Sequence, residues 1–387
     1  MQRDKIICFV AGHSGGHILP CLTLAKNYSD YKINFITTNN KLDLDILGHT
    51  FRLHMKLRRT SDIPCPTKPL DRHLVRRSFN VVGSFSDGWL AKSGSVLRSL
   101  SVVRCIEPLN ENVHKNIINC LLKLNLDKIP DKFYQVPKFV FKLFIAFIKS
   151  FIFLILNRPK KLVTTGGLIA IPVFIAAKIL LIETEIYELN VEPGKATKFL
   201  AKFNKNIKIC FKETKKFLPI NCNLVKYPVR FSEKDKIFNK QEIIDKLNFV
   251  INKKIILVLG GSQGSLSLNN LVKEFIETKR PNIQFIHQIG SNDLTNWQEF
   301  YKTHNLNAKI FSYETNIKDY YLISDLIICR SGAGTLAEII FFNKKCLTFP
   351  LETKSTKHQL LNAETLAKNH PDLVTIANSL LTIRKCW

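Results

Sequence analysis

Twice along the chain a short apolar run ends in a glycine-rich turn and gives way to a helical pattern, and this recurrence restricts the fold more than any other feature. Residues 5–10 lead into the turn 12–16 and a helix over 19–27; residues 255–259 lead into the turn 260–264 and a helix over 266–278. Between and after them, runs at 33–37, 162–165, 185–188, 207–211, 284–288 and 325–329 read as strands, and 172–182 as a helix. Unbroken apolar strands alternating with helices are the pattern of a parallel sheet covered on both faces. At 387 residues the chain is too long for one ordinary core. The expectation is an α/β protein of two Rossmann-like, doubly wound domains, 1–228 and 229–387, joined near 227–240. Residues 53–132, with Pro64, Pro66, Pro69 and a basic cluster of Arg72, Arg76 and Arg77, fit no element and read as an insertion or a long functional loop.

The formal charge of +26 attracts polyanions: nucleic acid, anionic lipid or a pyrophosphate. A Lys-, Ile- and Asn-rich compositional drift explains it equally well, because lysines are spread along the whole chain. No nucleic-acid motif accompanies the charge, so no nucleic-acid partner is expected. The ten cysteines show no CxxC or zinc-ligand spacing, and Cys8, Cys210 and Cys329 lie in apolar runs. With no signal peptide in evidence, a reducing, cytoplasmic compartment and no bound metal are expected. Residues 139–156 form the most apolar stretch. Lys142 and Lys149 would each cost ~2.5–3.5 kcal/mol at the centre of a membrane span. They share one helical face, so the segment reads as a helix lying on a sheet, either in the core or with a face touching a membrane surface.

The turn Gly12-His13-Ser14-Gly15-Gly16, followed by His17 and Pro20, lets backbone approach a ligand at a helix N-terminus, where unpaired N–H groups favour phosphate. Its spacing is not GxGxxG, and the next strand ends Thr37-Thr38-Asn39 without the acidic residue that a nicotinamide enzyme places on ribose. His17 reads as a general base toward a hydroxyl, or as a residue that ties down the loop. Ser262 in the second turn is placed to bind a diphosphate. Arg330-Ser331-Gly332-Ala333-Gly334-Thr335 opens a helix carrying Glu338, read as a first-turn cap or as an acceptor for both hydroxyls of a ribose. Arg230, after Pro228-Val229, reads as a phosphate partner or a solvated surface arginine.

Taken together and in order, these segments resemble the MurG family of UDP-N-acetylglucosamine transferases. The resemblance rests on Gly12–His17 with Pro20, Gly166-Gly167 with Pro172, Glu188 with Asn190 and Gly194, Pro228-Val229-Arg230, the 260–264 turn, Arg330 to Glu338, and His358-Gln359 with Asn362-Ala363. It implies the GT-B architecture, two such domains facing a cleft, with an inverting transfer of N-acetylglucosamine to the C4 hydroxyl of the muramyl sugar of lipid I. It implies His17 as the base, with Ser14, Gly15, Gly16 and the Gly166 turn on the acceptor pyrophosphate and Asn190 as a further substrate contact. Ser262 and Arg230 would meet the UDP phosphates, Glu338 the ribose, Ala333, Gly334 and Thr335 the nucleotide, Glu314 the neighbourhood of uracil, and His358 and Gln359 the sugar hydroxyls. No cofactor is implied. The partners would be UDP-N-acetylglucosamine, lipid I and an anionic membrane surface, at the cytoplasmic face of the bacterial inner membrane. The acceptor side departs from the family's pattern more than the donor side: Thr164 replaces a usual glycine, Leu168 a tyrosine, and Lys226-Tyr227 a Gly-Asn pair. A related enzyme with another lipid acceptor, and a nucleotide-sugar-binding protein without turnover, are the alternatives.

Overall fold

The computed structural model of the chain describes residues 5–12, 15–51, 104–105, 118–126, 129–130, 132–218, 221–279, 281–350 and 358–380, with only the backbone of 49–51 and 104–105. Ser14 and most of the 53–132 segment lie outside the described residues.

Two sheets are present among the described residues. The first has eight strands: β1 (Ile6–Val10), β2 (Lys32–Thr38), β3 (Arg104–Cys105), β4 (Ile118–Leu124), β5 (Lys161–Thr164), β6 (Glu183–Glu188), β7 (Ile207–Ile209) and β8 (Asn223–Leu224), in the order β3-β4-β2-β1-β5-β6-β7-β8. All pair in parallel except β3 with β4. The second sheet comprises β9 (Ile255–Leu259), β10 (Gln284–Gln288), β11 (Ala308–Phe311), β12 (Leu326–Arg330), β13 (Cys346–Phe349) and β14 (Val374–Ile376), all parallel, in the order β11-β10-β9-β12-β13-β14. In each sheet the first strand is central, and the strand order reverses beside it. Open α/β sheets bind ligands at this switch point, outside the carboxyl ends of the strands. The turns after β1 and β5, and after β9 and β12, therefore occupy the positions that matter.

Alternate side chains of the central strands feed opposite cores, as a two-residue period requires. Ile7 and Phe9 meet Ile18, Cys21 and Leu22 of α1 (Gly15–Ala25) and Ile46 of α2 (Lys41–Phe51). Cys8 and Val10 face Phe153 of α3 (Val136–Asn157) and Val173 of α4 (Ala170–Ile179). A short α5 (Lys195–Leu200) completes this half. In the second sheet Ile256 and Val258 pack on Val272 and Ile276 of α7 (Leu266–Lys279) and on Trp297 of α8 (Trp297–Thr303). Ile255 and Leu257 pack on α6 (Lys240–Lys246), α9 (Lys318–Ile323) and α10 (Ala333–Phe341). The last helix, α11 (His358–Asn369), precedes β14.

Three expectations shift. The first helix starts at Gly15, four residues before the first apolar periodic position, so His17 lies in its first turn. First-turn N–H groups need no intrahelical partner, and glycines tolerated there read as a loop in sequence. The helix expected to reach residue 182 stops at Ile179, and the chain reverses through a left-handed Leu181 (φ +56°). The unassigned segment contributes β4, a strand that pairs with β2.

Helix α3 is divided along its length. Ala146, Ser150, Phe153 and Leu154 are buried at helical spacing, and the helix packs on α4. Val140, Phe141 and Phe144 in its first half are more than half exposed. The expected core-helix reading thus describes the second half, while the first half leaves apolar side chains exposed. Phe153→Ala should cost ~3–5 kcal/mol by leaving a cavity, whereas Phe141→Ala should change stability by less than ~0.5 kcal/mol in urea denaturation. Equal losses at the two positions would contradict this division.

Candidate active site

The turns leaving β1 and β9 touch. The N–H of Gly15 donates to Ser262 Oγ at 3.3 Å, joining residues 247 apart in sequence. A Cβ on Gly15 would stand 3.0 Å from the Ser262 Cβ, so the absence of a side chain permits this approach. Beside the contact lies a cavity of about 100 Å³. Gly15, Gly16, Leu19 and Pro20 of α1 line one wall, and Arg230, Ser262, Glu314, Gly334, Thr335 and Glu338 the other. Pro20 has no N–H to donate to the Gly16 carbonyl one turn earlier, so that carbonyl lacks its usual helical donor.

Arg230 and Glu338 meet across 108 positions as a forked pair. Nε donates to Oε1 at 2.8 Å and Nη2 to Oε2 at 3.3 Å, while Nη1 donates to the Thr315 carbonyl at 2.8 Å. The side chains are only 15% and 12% exposed. Burial alone would depress the arginine, but the Glu338 charge outweighs it and holds the guanidinium firmly protonated. The Tyr321 hydroxyl donates to Glu338 Oε2 at 2.9 Å. Glu338 occupies the second turn of α10, not the first, and its partner is an arginine rather than the helix terminus. The surface reading of Arg230 is likewise overturned, because the cleft desolvates it.

Glu314 lines the cavity with its carboxylate held by the Tyr320 hydroxyl at 2.7 Å. Ala333, Gly334 and Thr335 form the first turn of α10, and the latter two reach the cavity wall. His17 stands apart from this cavity wall, with its Nδ1 3.0 Å from the Thr165 carbonyl. A carbonyl only accepts, so Nδ1 carries the proton and the ring's lone pair sits on Nε2. Of the two readings of His17, the contact bears on the one in which it ties down the loop: it orients the ring and sets its tautomer. Thr164, the departure from a family glycine, donates to the Val10 carbonyl at 2.9 Å and accepts the Gly166 N–H at 3.1 Å. It stitches the β1 end to the Gly166 turn.

Asn190, His358 and Gln359 are outside the cavity lining. His358 and Gln359 open α11; burial pushes the His358 imidazole below its usual range against the opposing charge of Glu192. Sequence reasoning passed over Tyr227, Tyr313 and Gln288, which line the cavity. The Tyr313 hydroxyl has no partner among the described residues, and burial pushes the phenol up to about 12, so it remains a donor. Their shared local signal is a position at a strand's carboxyl end: Gln288 is the last residue of β10, and Tyr313 and Tyr227 follow the ends of β11 and β8. Tyr227 covers the α10 terminus: a Cβ on Gly334 would meet its hydroxyl at 3.1 Å.

The 260–264 turn rests on a buried network. Gly264 (φ +77°) and Gly290 (φ +84°) pack so closely that a Cβ on Gly264 would come within 2.5 Å of the Gly290 Cα. Asn269 donates to the Ile289 carbonyl at 2.9 Å and to Asp293 at 2.6 Å, so its Oδ1 accepts from His287 Nε2 at 3.1 Å. His287 Nδ1 then accepts from the Tyr301 hydroxyl at 2.9 Å. The imidazole is neutral and fully committed, pushed down to about 3 by burial.

The amino-acid sequence matches the family models for the glycosyltransferase family 28 N-terminal domain over residues 109–209 and the family 28 C-terminal domain over 255–383. It is 32% identical to the UDP-N-acetylglucosamine–N-acetylmuramyl-(pentapeptide) pyrophosphoryl-undecaprenol N-acetylglucosamine transferase of Borreliella burgdorferi, across 99% of this chain and 86% of that protein. The chain belongs to the MurG family. The Myxococcus xanthus MurG homologue is 30% identical over 60% of each protein, so this alignment spans less than two thirds of that relative's length. The crystal structure of Acinetobacter baumannii MurG superposes with a TM-score of 0.58 at 18% identity, covering 97% of this chain and 86% of that one. A Staphylococcus aureus MnaA–UDP structure gives 0.55 at 13% identity, covering 99% and 87%; both likenesses concern the fold. With its two parallel sheets and MurG relatives, this is a GT-B glycosyltransferase.

The His287 network makes a pH prediction. The folded value of about 3 lies below the unfolded value of ~6.5, so the unfolded chain takes up the proton first. This contribution to stability is complete above pH ~6.5 and is lost as pH falls toward 3, at up to ~1.4 kcal/mol per unit. In guanidinium titrations between pH 4 and 7, His287→Gln should lower stability at pH 7 and flatten the slope. An unchanged slope would show that the imidazole is not buried neutral.

Proposed function

We propose that the chain transfers N-acetylglucosamine from UDP-N-acetylglucosamine to the C4 hydroxyl of the muramyl sugar of lipid I, giving lipid II and UDP. The observation that carries this reading is the Gly15–Ser262 contact, which sets the turn bearing His17 directly against the turn suited to a diphosphate. His17 Nε2 takes the proton from the C4 hydroxyl; the oxygen attacks the anomeric carbon from the face opposite UDP. The bond from that carbon to the phosphate oxygen breaks, and the configuration inverts.

The donor half is assigned as follows. Ser262 and Arg230 meet the phosphates, Glu338 accepts the ribose hydroxyls, and Ala333, Gly334 and Thr335 offer the N-terminus of α10. Glu314 lies beside uracil, and His358 and Gln359 hold the sugar. The positive ends of α7 and α10, with Arg230, balance the charge that grows on the departing diphosphate. A cavity of about 100 Å³ is smaller than the ~300–1,000 Å³ of ordinary ligand pockets. Donor entry therefore separates Gly15 from Ser262 and Arg230 from Glu338, and the ligand's phosphates and ribose replace those partners. On the acceptor side Ser14, Gly15, Gly16 and the Gly166 turn take the pyrophosphate, with Asn190 at the edge of the same site. His17→Ala should lower turnover with UDP-N-acetylglucosamine and lipid I by ~10²–10⁴ while UDP binding persists. Equal turnover in both proteins removes His17 from the mechanism.

The same reading places the chain on the cytoplasmic face of the bacterial inner membrane. Support comes from the exposed Val140, Phe141 and Phe144 of α3 and from Ile179 and Leu181 at the end of the adjoining α4. Helix α3 is long and apolar enough to cross a bilayer by length and composition, but its second half is fastened to the first domain's core. It lies along the surface, and the net charge of +26 favours anionic lipid. Phe141→Asp with Phe144→Asp should abolish co-sedimentation with anionic vesicles; retained binding would move the contact elsewhere.

A further inference from the structure

The two domains are joined at a second place, away from the cavity. Glu188 ends β6 with its carboxylate buried, and that carboxylate gathers the following loop. It accepts the Asn190 N–H at 2.9 Å, Asn190 Nδ2 at 3.2 Å and the Gly194 N–H at 3.3 Å. The Thr214 hydroxyl donates to the Asn190 carbonyl at 3.1 Å. Glu192 of the loop pairs with Lys198 at 2.8 Å within the first domain, and two further polar groups cross to α11. The Val191 N–H donates to Asn362 Oδ1 at 2.9 Å, and Asn362 Nδ2 donates to Asn190 Oδ1 at 3.2 Å. Asn362 is fully buried, and the Val191 side chain belongs to the apolar core of the second domain, although its backbone belongs to the first.

We propose that Asn362 is a positioning residue that clamps the loop 189–194 of the first domain onto α11 of the second. Its amide reads the loop with both ends, one acceptor and one donor, so a shift of either partner breaks two bonds at once. Asn362 stands three and four residues after Gln359 and His358, on the same side of α11. The clamp thereby fixes where the helix offering those two side chains sits relative to the domain that carries His17. Removing the amide takes the acceptor from the buried Val191 N–H and the donor from the half-buried Asn190 Oδ1, and the unpaired buried N–H drives the loop off the helix. Its kinetic consequence rests on the transfer reading above; its existence does not.

The test uses the full chain and the variants Asn362→Ala, Asn362→Asp, Asn190→Ala and the double alanine variant. Hydrogen exchange at the Val191 amide reads the clamp directly, with the amides of β9 and β12 as the check that both domains remain folded. Val191 should exchange at least ~10-fold faster in Asn362→Ala, while β9 and β12 stay protected. Asn362→Asp keeps an acceptor for the Val191 N–H and should recover part of the protection. In the transfer assay kcat should fall about 10- to 100-fold, as a misplaced constellation does, with UDP affinity within about twofold. The two alanine substitutions should be non-additive, each costing little in the presence of the other. Unchanged exchange at Val191 overturns the clamp, whether or not the chain turns over. Faster exchange with unchanged kcat overturns the positioning role, and additive losses overturn the pairing. A wild type that binds UDP but transfers nothing overturns the proposed function instead, and the exchange arm still decides the clamp.

Discussion

Backbone-to-hydroxyl contact between Gly15 and Ser262 is the constraint on which the rest of the cleft depends. Here the two sheets present their carboxyl ends to one another across turns that occupy almost no volume. Gly15 meets this condition on one side, and on the other the Gly264–Gly290 packing draws the turn down onto β10. A side chain at Gly264 would meet backbone, which cannot move aside as a flexible side chain can. The His287–Asn269–Asp293 network holds that packing from beneath and contributes no atom to the cavity wall. Glycine in the turns and buried polar order behind them are therefore two parts of one device.

In the closed cleft the polar groups suited to a nucleotide sugar satisfy one another. Arg230 takes Glu338, and Ser262 takes the Gly15 N–H. A buried charge without a partner is costly, so this mutual pairing stabilises the cleft. The Tyr313 hydroxyl, by contrast, is buried without a partner among the described residues. The departures from the family pattern have physical substitutes: Thr164 hydrogen-bonds the turn where a glycine would leave it loose, and Tyr227 covers the start of α10.

The central strands were legible because each is a short, unbroken apolar run beside a glycine turn, and the structure moves their ends by only a residue or two. Strand β4 was hidden among prolines and basic residues, and β11 and β14 are short and partly exposed, so periodicity had little to register. The start of α1 was misplaced because glycine weakens the helical signal where the first turn can in fact accept it. Of the residues that line the cavity, Gly15, Gly16, Ser262, Gly334 and Thr335 stand in or beside glycine turns that the sequence marks, while Tyr313 and Gln288 carry no such local mark.

By itself the sequence determined the two-domain α/β plan and the set of turns at the sheet switch points, since both follow from hydrophobic period and glycine spacing within ten or so residues. Tertiary structure alone decided the partners. Arg230 with Glu338, Gly15 with Ser262 and Asn190 with Asn362 join positions 108, 247 and 172 apart. Local pattern holds no information about which distant backbone will arrive opposite. It is the packing of two sheets, each around its own core, that brings such groups to hydrogen-bonding distance and so joins separate glycine turns into one cleft.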